Sequence, residues 1–172
     1  LTKLYCVRGL CYYDLGNYES AISDLTKSIL NEQELTTSYL YRGISKSKLK
    51  DKLGAIRDYK AILTIDSTNT YAWNNLAWEK YLDSDYKEAL KFANLSLKYN
   101  PNYLNAIHTR AEIHLSLKDY NSCIKDATYG ITIEPNNAML RVTRAKAYFQ
   151  QNFKTKACED LSIAGELGDK DA

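Results

Sequence analysis

The sequence predicts an all-α chain, an α-solenoid built from five helix–turn–helix repeats and therefore about ten helices, on three observations. First, small residues recur with a step of 34. One column reads Gly9, Gly43, Ala77, Ala111, Ala145, and a second, twelve residues on, reads Ala21, Ala55, Ala89, Cys123, Ala157. Small residues at two fixed places imply two helices whose backbones cross with no room for side chains between them. Second, the residues that follow each second-column position carry the apolar spacing of an amphipathic helix: Ile22, Ile56, Leu90, Ile124, Cys158, then Leu25, Tyr59, Ala93, Ala127, Leu161 one turn later. Third, the chain has only two prolines and a persistent helical periodicity, which leaves little room for a sheet.

The period divides the chain, read as a single domain over 1–172, into units at about 2–35, 36–69, 70–103, 104–137 and 138–171. In each unit a first helix holds the Gly9-type position. A polar turn follows: "LGN" at 15–17, "LKD" at 49–51, "DSD" at 83–85, "LKD" at 117–119 and "QN" at 151–152. The second helix holds the Ala21-type position. Pro101 and Pro135 fall between units, where a helix must stop. Gly168 reads as the C-cap of the last helix, with no polar capping helix after it. Solenoid ends need such a cap for solubility, so either residues outside this sequence supply it or an end face pairs with another chain, a route to a homodimer.

Composition excludes several classes. At 172 residues, 45% hydrophobic and 26% charged, the chain can bury a core. The net charge of +2 predicts nothing about nucleic acid, because 23 basic and 21 acidic residues are interspersed; no nucleic-acid partner is expected. The one basic run, "KSKLKDK" at 46–52, sits at a single turn and reads as solvated; a nucleic-acid face would spread such residues over several repeats. No apolar stretch is long enough for a membrane span. Cys6, Cys11, Cys123 and Cys158 show no C-x-x-C spacing and read as ordinary buried thiols in a reducing compartment. A chain that begins at Leu points to a missing N-terminus, so a cytoplasmic location is favoured with periplasmic or secreted placement still open.

Two charged columns run through the repeats: Arg8, Arg42, Leu76, Arg110, Arg144 and Asp24, Asp58, Phe92, Asp126, Asp160. The repeat that loses its Arg also loses its Asp and gains two apolar side chains. Pairing of Arg and Asp within a repeat explains this joint loss, because exchanging a half-buried ion pair for apolar residues is cheap whereas deleting one partner is not. The Arg reads as a structural strut, not a catalytic group.

The period, together with Trp73-x-x-Leu76-Ala77, Tyr86-x-x-Ala89 and Pro101 in register, resembles the tetratricopeptide repeat. The likeness covers the whole chain. It is loosest at repeat 2, with Ser67 in place of Pro and Lys52 in place of Tyr, and at repeat 5, where Phe153 is displaced by one residue. The ending "ACEDLSIAGELGDKDA" is similar to the closing segments of bacterial members. The resemblance implies a right-handed superhelix whose concave groove, lined by the first helices, binds a protein or peptide partner. The inner stripe it implies contains Leu10, Tyr13, Leu40, Tyr41, Ile44, Tyr71, Asn74, Asn75, Trp78, Tyr81, His108, Glu112, Leu115, Lys146 and Phe149. Along the column Leu10, Ile44, Trp78, Glu112, Lys146 the character passes from apolar to charged, which suits a peptide with one apolar and one charged half. For Leu40, Leu115 and Phe149, packing between neighbouring helices is an equal alternative.

Chaperone-binding members of that family hold terminal carboxylates with a Lys and Asn, an Asn, and a Lys and Arg from successive repeats. The matching places here offer Cys6, Leu10 and Tyr41, or Leu40, Ile44 and Asn75, or Asn74, Trp78, Thr109, Met139 and Thr143. That clamp is missing, which argues against a heat-shock co-chaperone of that kind.

Nothing in the sequence points to catalysis. There is no phosphate-binding Gly-rich loop. His108 and His114, six apart, lie on different faces of one helix, and His108 with Glu112 reads as a polar pair and not as part of a metal site. Asn94-Leu95-Ser96 matches a glycosylation sequon but falls inside a predicted helix. The expectation is a non-enzymatic scaffold with no cofactor and no metal. The rivals are a purely structural module, and a regulatory or docking domain of a larger protein.

Overall fold

The computed structural model describes residues 3–32 and 34–168. Among these, ten α-helices follow one another: α1 Lys3–Asp14, α2 Tyr18–Leu30, α3 Leu35–Lys48, α4 Lys52–Ile65, α5 Thr70–Leu82, α6 Tyr86–Tyr99, α7 Leu104–Ser116, α8 Tyr120–Ile133, α9 Ala138–Gln150 and α10 Lys154–Glu166. No strand occurs among the described residues. The chain forms two compact units, one up to Glu79 and one from Lys80 onward. In the first unit α1 packs on α2, α2 on α3 and α3 on α4, and in the second α6 packs on α7, α7 on α8, α8 on α9 and α9 on α10; first helices also pack on one another, α1 on α3 and α7 on α9. The fold is an all-α solenoid of five helical hairpins.

Each hairpin turns in the same way, and the reason is local. Gly16, Lys50, Ser84, Lys118 and Asn152, spaced by 34, all have positive φ, between 61° and 73°. The next residue's N–H then reaches back to close the helix: Asn17 to Tyr12 O, Asp51 to Lys46 O, Asp85 to Lys80 O, Asp119 to His114 O and Phe153 to Tyr148 O, all at 2.8–3.0 Å. This closure satisfies the last carbonyls of the first helix. In four repeats the same residue opens the second helix, its side chain accepting from Ser20, Gly54, Glu88 or Ser122 N–H. In repeat 5 that place is taken by Phe153, which makes no such bond. The displaced aromatic therefore costs the last helix its cap.

Both small-residue columns are buried in every repeat. The crossing is tight: a Cβ at Gly43 would stand 2.6 Å from Cε1 of the fully buried Tyr59 ring. In the second unit, Leu97, Ala106, Ile107, Ala127 and Leu140 form a core against which Tyr103, Leu104 and Ile131 pack.

All four Arg–Asp pairs form within their repeats, as fork-to-fork contacts. Arg42 donates Nε and Nη2 to Asp58 at 3.0 and 2.7 Å, Arg110 to Asp126 at 2.7 and 2.7 Å, and Arg144 to Asp160 at 2.8 and 2.7 Å; Arg8 Nη2 reaches Asp24 at 2.9 Å. Each of the last three arginines also spends Nη1 on the preceding repeat, at Thr26, Asn94 or Thr128, sixteen residues back, at 2.9–3.1 Å. The guanidinium thus ties one hairpin internally and to the one before it. The Asn94 amide of the sequon is engaged in this way, on α6. Of the basic run, Lys46 is drawn into the same system, donating to Asp58 at 2.8 Å.

The cysteines correct one expectation. Cys6 and Cys123 are buried, but Cys11 and Cys158 are exposed. Cys11 occupies a position that is buried at Ser45, Glu79, Ile113 and Ala147. No described helix lies before α1 to cover it. Cys158 likewise lies on α10, which has no described helix beyond it, whereas its copies Ile22, Ile56, Leu90 and Ile124 are half-buried. Burial here belongs to a place in the stack and not to the residue type.

Candidate partner-binding surface

The first unit carries an aromatic and apolar stripe. On α1 and α3, Leu10, Tyr13 and Tyr41 are half-buried against Cys6, Ala21 and Leu25. The rings of Tyr13 and Tyr41 meet edge to face with centroids 5.0 Å apart. Burial pushes the Tyr13 hydroxyl pKa up. Leu40 and Ile44 are also half-buried. On α5 the picture opens: Tyr71 is 49% exposed and Trp78 36%. Asn75 is half-buried and donates its side-chain N–H to Tyr71 O at 2.9 Å. Asn74 is buried, and its Oδ1 has no hydrogen-bond partner. An unsatisfied buried acceptor is costly, so Asn74 is a packing position as well as a stripe position.

The second unit puts charge and hydroxyls in the same columns. Thr143 on α9 donates its hydroxyl proton to Glu112 Oε1 of α7 at 2.6 Å, and its oxygen lies 3.2 Å from His108 Nε2. The same hydroxyl lies 3.0 Å from Met139 O, and the direction of its contact with the imidazole follows the ring's tautomer. Tyr81 adds a longer contact to Glu112 Oε2 at 3.5 Å. His108 is held below its ordinary pKa, chiefly by burial and further by the ammonium of Lys146, against the opposing pull of Glu112. The same carboxylate, second to burial, helps push the Cys123 thiol up to about 12, so Cys123 is an inert thiol at neutral pH. His114, on the other face of α7, lies 3.4 Å from Asp119 and 3.9 Å from Asp126. Lys146 and Phe149 stand exposed on α9, Phe149 at 61%, while Leu115 is half-buried against Ala111, Cys123 and Ala147. Among the described residues no group of three or more His, Cys, Asp or Glu side chains is placed to hold a metal ion, and no helix is long and apolar enough to cross a membrane.

The sequence reading left Thr143 out of the stripe, although it is the hub of this network. Its signal was the column Tyr41, Asn75, Thr109, Thr143, two of whose members were already in the stripe.

Comparison with known proteins agrees with this architecture of stacked helical hairpins. A tetratricopeptide-repeat family model matches residues 2–33. Human sperm-associated antigen 1 is 32% identical over 84 residues, 49% of this chain and 9% of that protein. Human tetratricopeptide repeat protein 6 is 25% identical over 152 residues, 83% of this chain and 29% of that protein. The chain therefore spans less than a third of the length of either relative. Among solved structures, Pseudomonas aeruginosa PilF is similar with a TM-score of 0.88 at 17% identity, covering 98% of this chain and 77% of that one. A MamA crystal structure is similar with a TM-score of 0.75 at 18% identity, covering 96% and 91%. In the Cut9–Hcn1 complex of the APC/C, a chain gives a TM-score of 0.87 at 16% identity, covering 98% and 33%. These likenesses show the fold. Residues 2–33 match the tetratricopeptide repeat, and the described helical hairpins have the fold of a tetratricopeptide-repeat solenoid; repeats of this kind generally mediate protein–protein interaction.

Proposed function

We propose that this chain is a non-enzymatic scaffold that binds a peptide segment or protein partner along the first helices of its repeats. The observation that carries the reading is the accessibility of Tyr71, Trp78 and Phe149 on first helices. Each of these aromatics keeps more than a third of its surface open to solvent, although it stands on a helix whose small-residue position is buried. Half-open aromatic rings give large contact area at little entropic cost and are the usual anchors of an interface.

A peptide-display selection on the wild-type chain tests this. Selected peptides are expected to lose at least tenfold in affinity on Trp78→Ala, with the thermal unfolding midpoint kept within a few degrees. A second reading is a structural or docking module of a longer protein, and it is supported by the small share of both human relatives that the chain spans. It predicts that Trp78→Ala costs stability or nothing and that no peptide is selected.

A further inference from the structure

An open depression of about 370 Å³ lies in the second unit between the end of α7, the turn into α8 and the outer half of α9, lined by Leu115, Ser116, Lys118, Tyr120, Lys146 and Gln150. That volume is at the small end of the range for ligand pockets. Its floor is apolar and fixed, because Leu115 and Tyr120 pack on the buried Ala111, Cys123 and Ala147. Across the junction of α8 and α9, Gln151 Nε2 donates to Asn121 Oδ1 at 2.7 Å. Lys118 sits at the left-handed turn position and is anchored by the backbone bonds that close α7.

Two basic side chains stand on the rim, and among the described residues neither Lys118 nor Lys146 has a carboxylate partner. The acids nearest in sequence are already committed. Asp119 accepts from Ser122 N–H and lies against His114, and Glu112 accepts from Thr143 and Tyr81. Two exposed lysines rim an apolar floor while the carboxylates nearest in sequence are engaged elsewhere, which gives the depression a net positive edge.

We propose that this depression receives an acidic side chain of the bound peptide, held between Lys118 and Lys146, with an apolar neighbour of that residue seated on Leu115 and Tyr120. The proposal rests on the first-helix reading above and gives it a chemistry: the partner segment carries Asp or Glu beside a bulky apolar residue. A charge-assisted contact at a partly covered rim adds selectivity and a steep salt dependence. Lys118 lies in a turn outside the clamp columns and Lys146 stands in the column of Leu10 without the other clamp residues beside it, so an internal acidic side chain is the expected occupant.

The test is a selection from a random twelve-residue peptide display library on the wild-type chain, repeated on the Lys118→Glu/Lys146→Glu variant. Both lysines are exposed, so the variant is expected to keep its helical circular dichroism and unfolding midpoint. Wild-type peptides should be enriched in Asp or Glu next to Leu, Phe or Tyr, and should lose at least tenfold in affinity on the variant. The variant should select Lys and Arg at the same place, and Lys118→Arg/Lys146→Arg should restore the wild-type pattern. Peptides selected without acidic residues, or unaffected by charge reversal, overturn this pocket and leave the first-helix reading standing. Failure to select any peptide overturns both.

Discussion

The two units fill the column of Leu10 with opposite chemistry, while the column of Tyr13 stays apolar in the second unit at Leu115 and Phe149. In the first, Leu10, Tyr13 and Tyr41 turn half inward onto Cys6, Ala21 and Leu25, and the exposed members are aromatic rings on α5. In the second, the equivalent places hold Glu112 and Lys146, flanked by His108 and Thr143, in a network that crosses from α7 to α9. Beneath both runs one frame: left-handed turn residues every 34 positions and Arg–Asp forks sixteen apart. The lesson is a division of labour. The repeated columns fix where side chains stand, and the unrepeated identity of those side chains sets what they bind.

The largest expected effect breaks the shared frame. Arg110→Leu leaves Asp126, only 7% exposed, without its fork. Discounted for the 27% exposure of the Arg110 side chain, the cost should be about 2–3 kcal/mol in chemical denaturation. The double variant Arg110→Leu/Asp126→Phe copies repeat 3, which carries the buried Leu76 and the half-buried Phe92 at these positions. It should be markedly more stable than the single one, and additive costs in the double-mutant cycle would refute the pairing.

A smaller effect tests the caps that four repeats have and repeat 5 lacks. Asp119→Ala should cost about 1 kcal/mol at neutral pH. The Asp119 carboxyl is held below its ordinary pKa first by its hydrogen bonds with Ser122. Its contribution is therefore fully present above the ordinary carboxylate range and lost as pH falls through the depressed folded value. Wild type and variant should converge in stability in acid, and a gap unchanged at low pH would contradict the capping role.

The smallest effect concerns the turns. Lys50 holds φ +65° where repeat 1 has Gly16 at +73°. Lys50→Gly relieves that strain but adds freedom to the unfolded chain, for a net gain of about 0.5 kcal/mol. Thermal melts read it, and a loss of stability would show that the lysine stem contributes contacts of its own.

Most of the frame was legible before any coordinates, because a period exposes it: the small columns, the turns, and the Arg–Asp pairing read from the joint substitution in repeat 3. What was hidden depends on neighbours in space. The step of each arginine back to Thr26, Asn94 or Thr128 joins residues that no helical spacing links. Cys11 is exposed although its copies Ser45, Glu79, Ile113 and Ala147 are buried, a difference that its column does not show. The inner stripe was legible as a set of positions, but Asn74 lies buried among them. The lysine pair at 118 and 146 escaped notice because one member sits in a turn and the other on a helix 28 residues later.

The most direct test of the account is amide chemical-shift mapping of the chain titrated with a peptide selected on it. The account predicts shifts concentrated on first helices, at Tyr71–Trp78 and along α7 and α9, with Lys118 and Lys146 among the largest. Shifts confined to the second helices α2, α4, α6, α8 and α10 would contradict it.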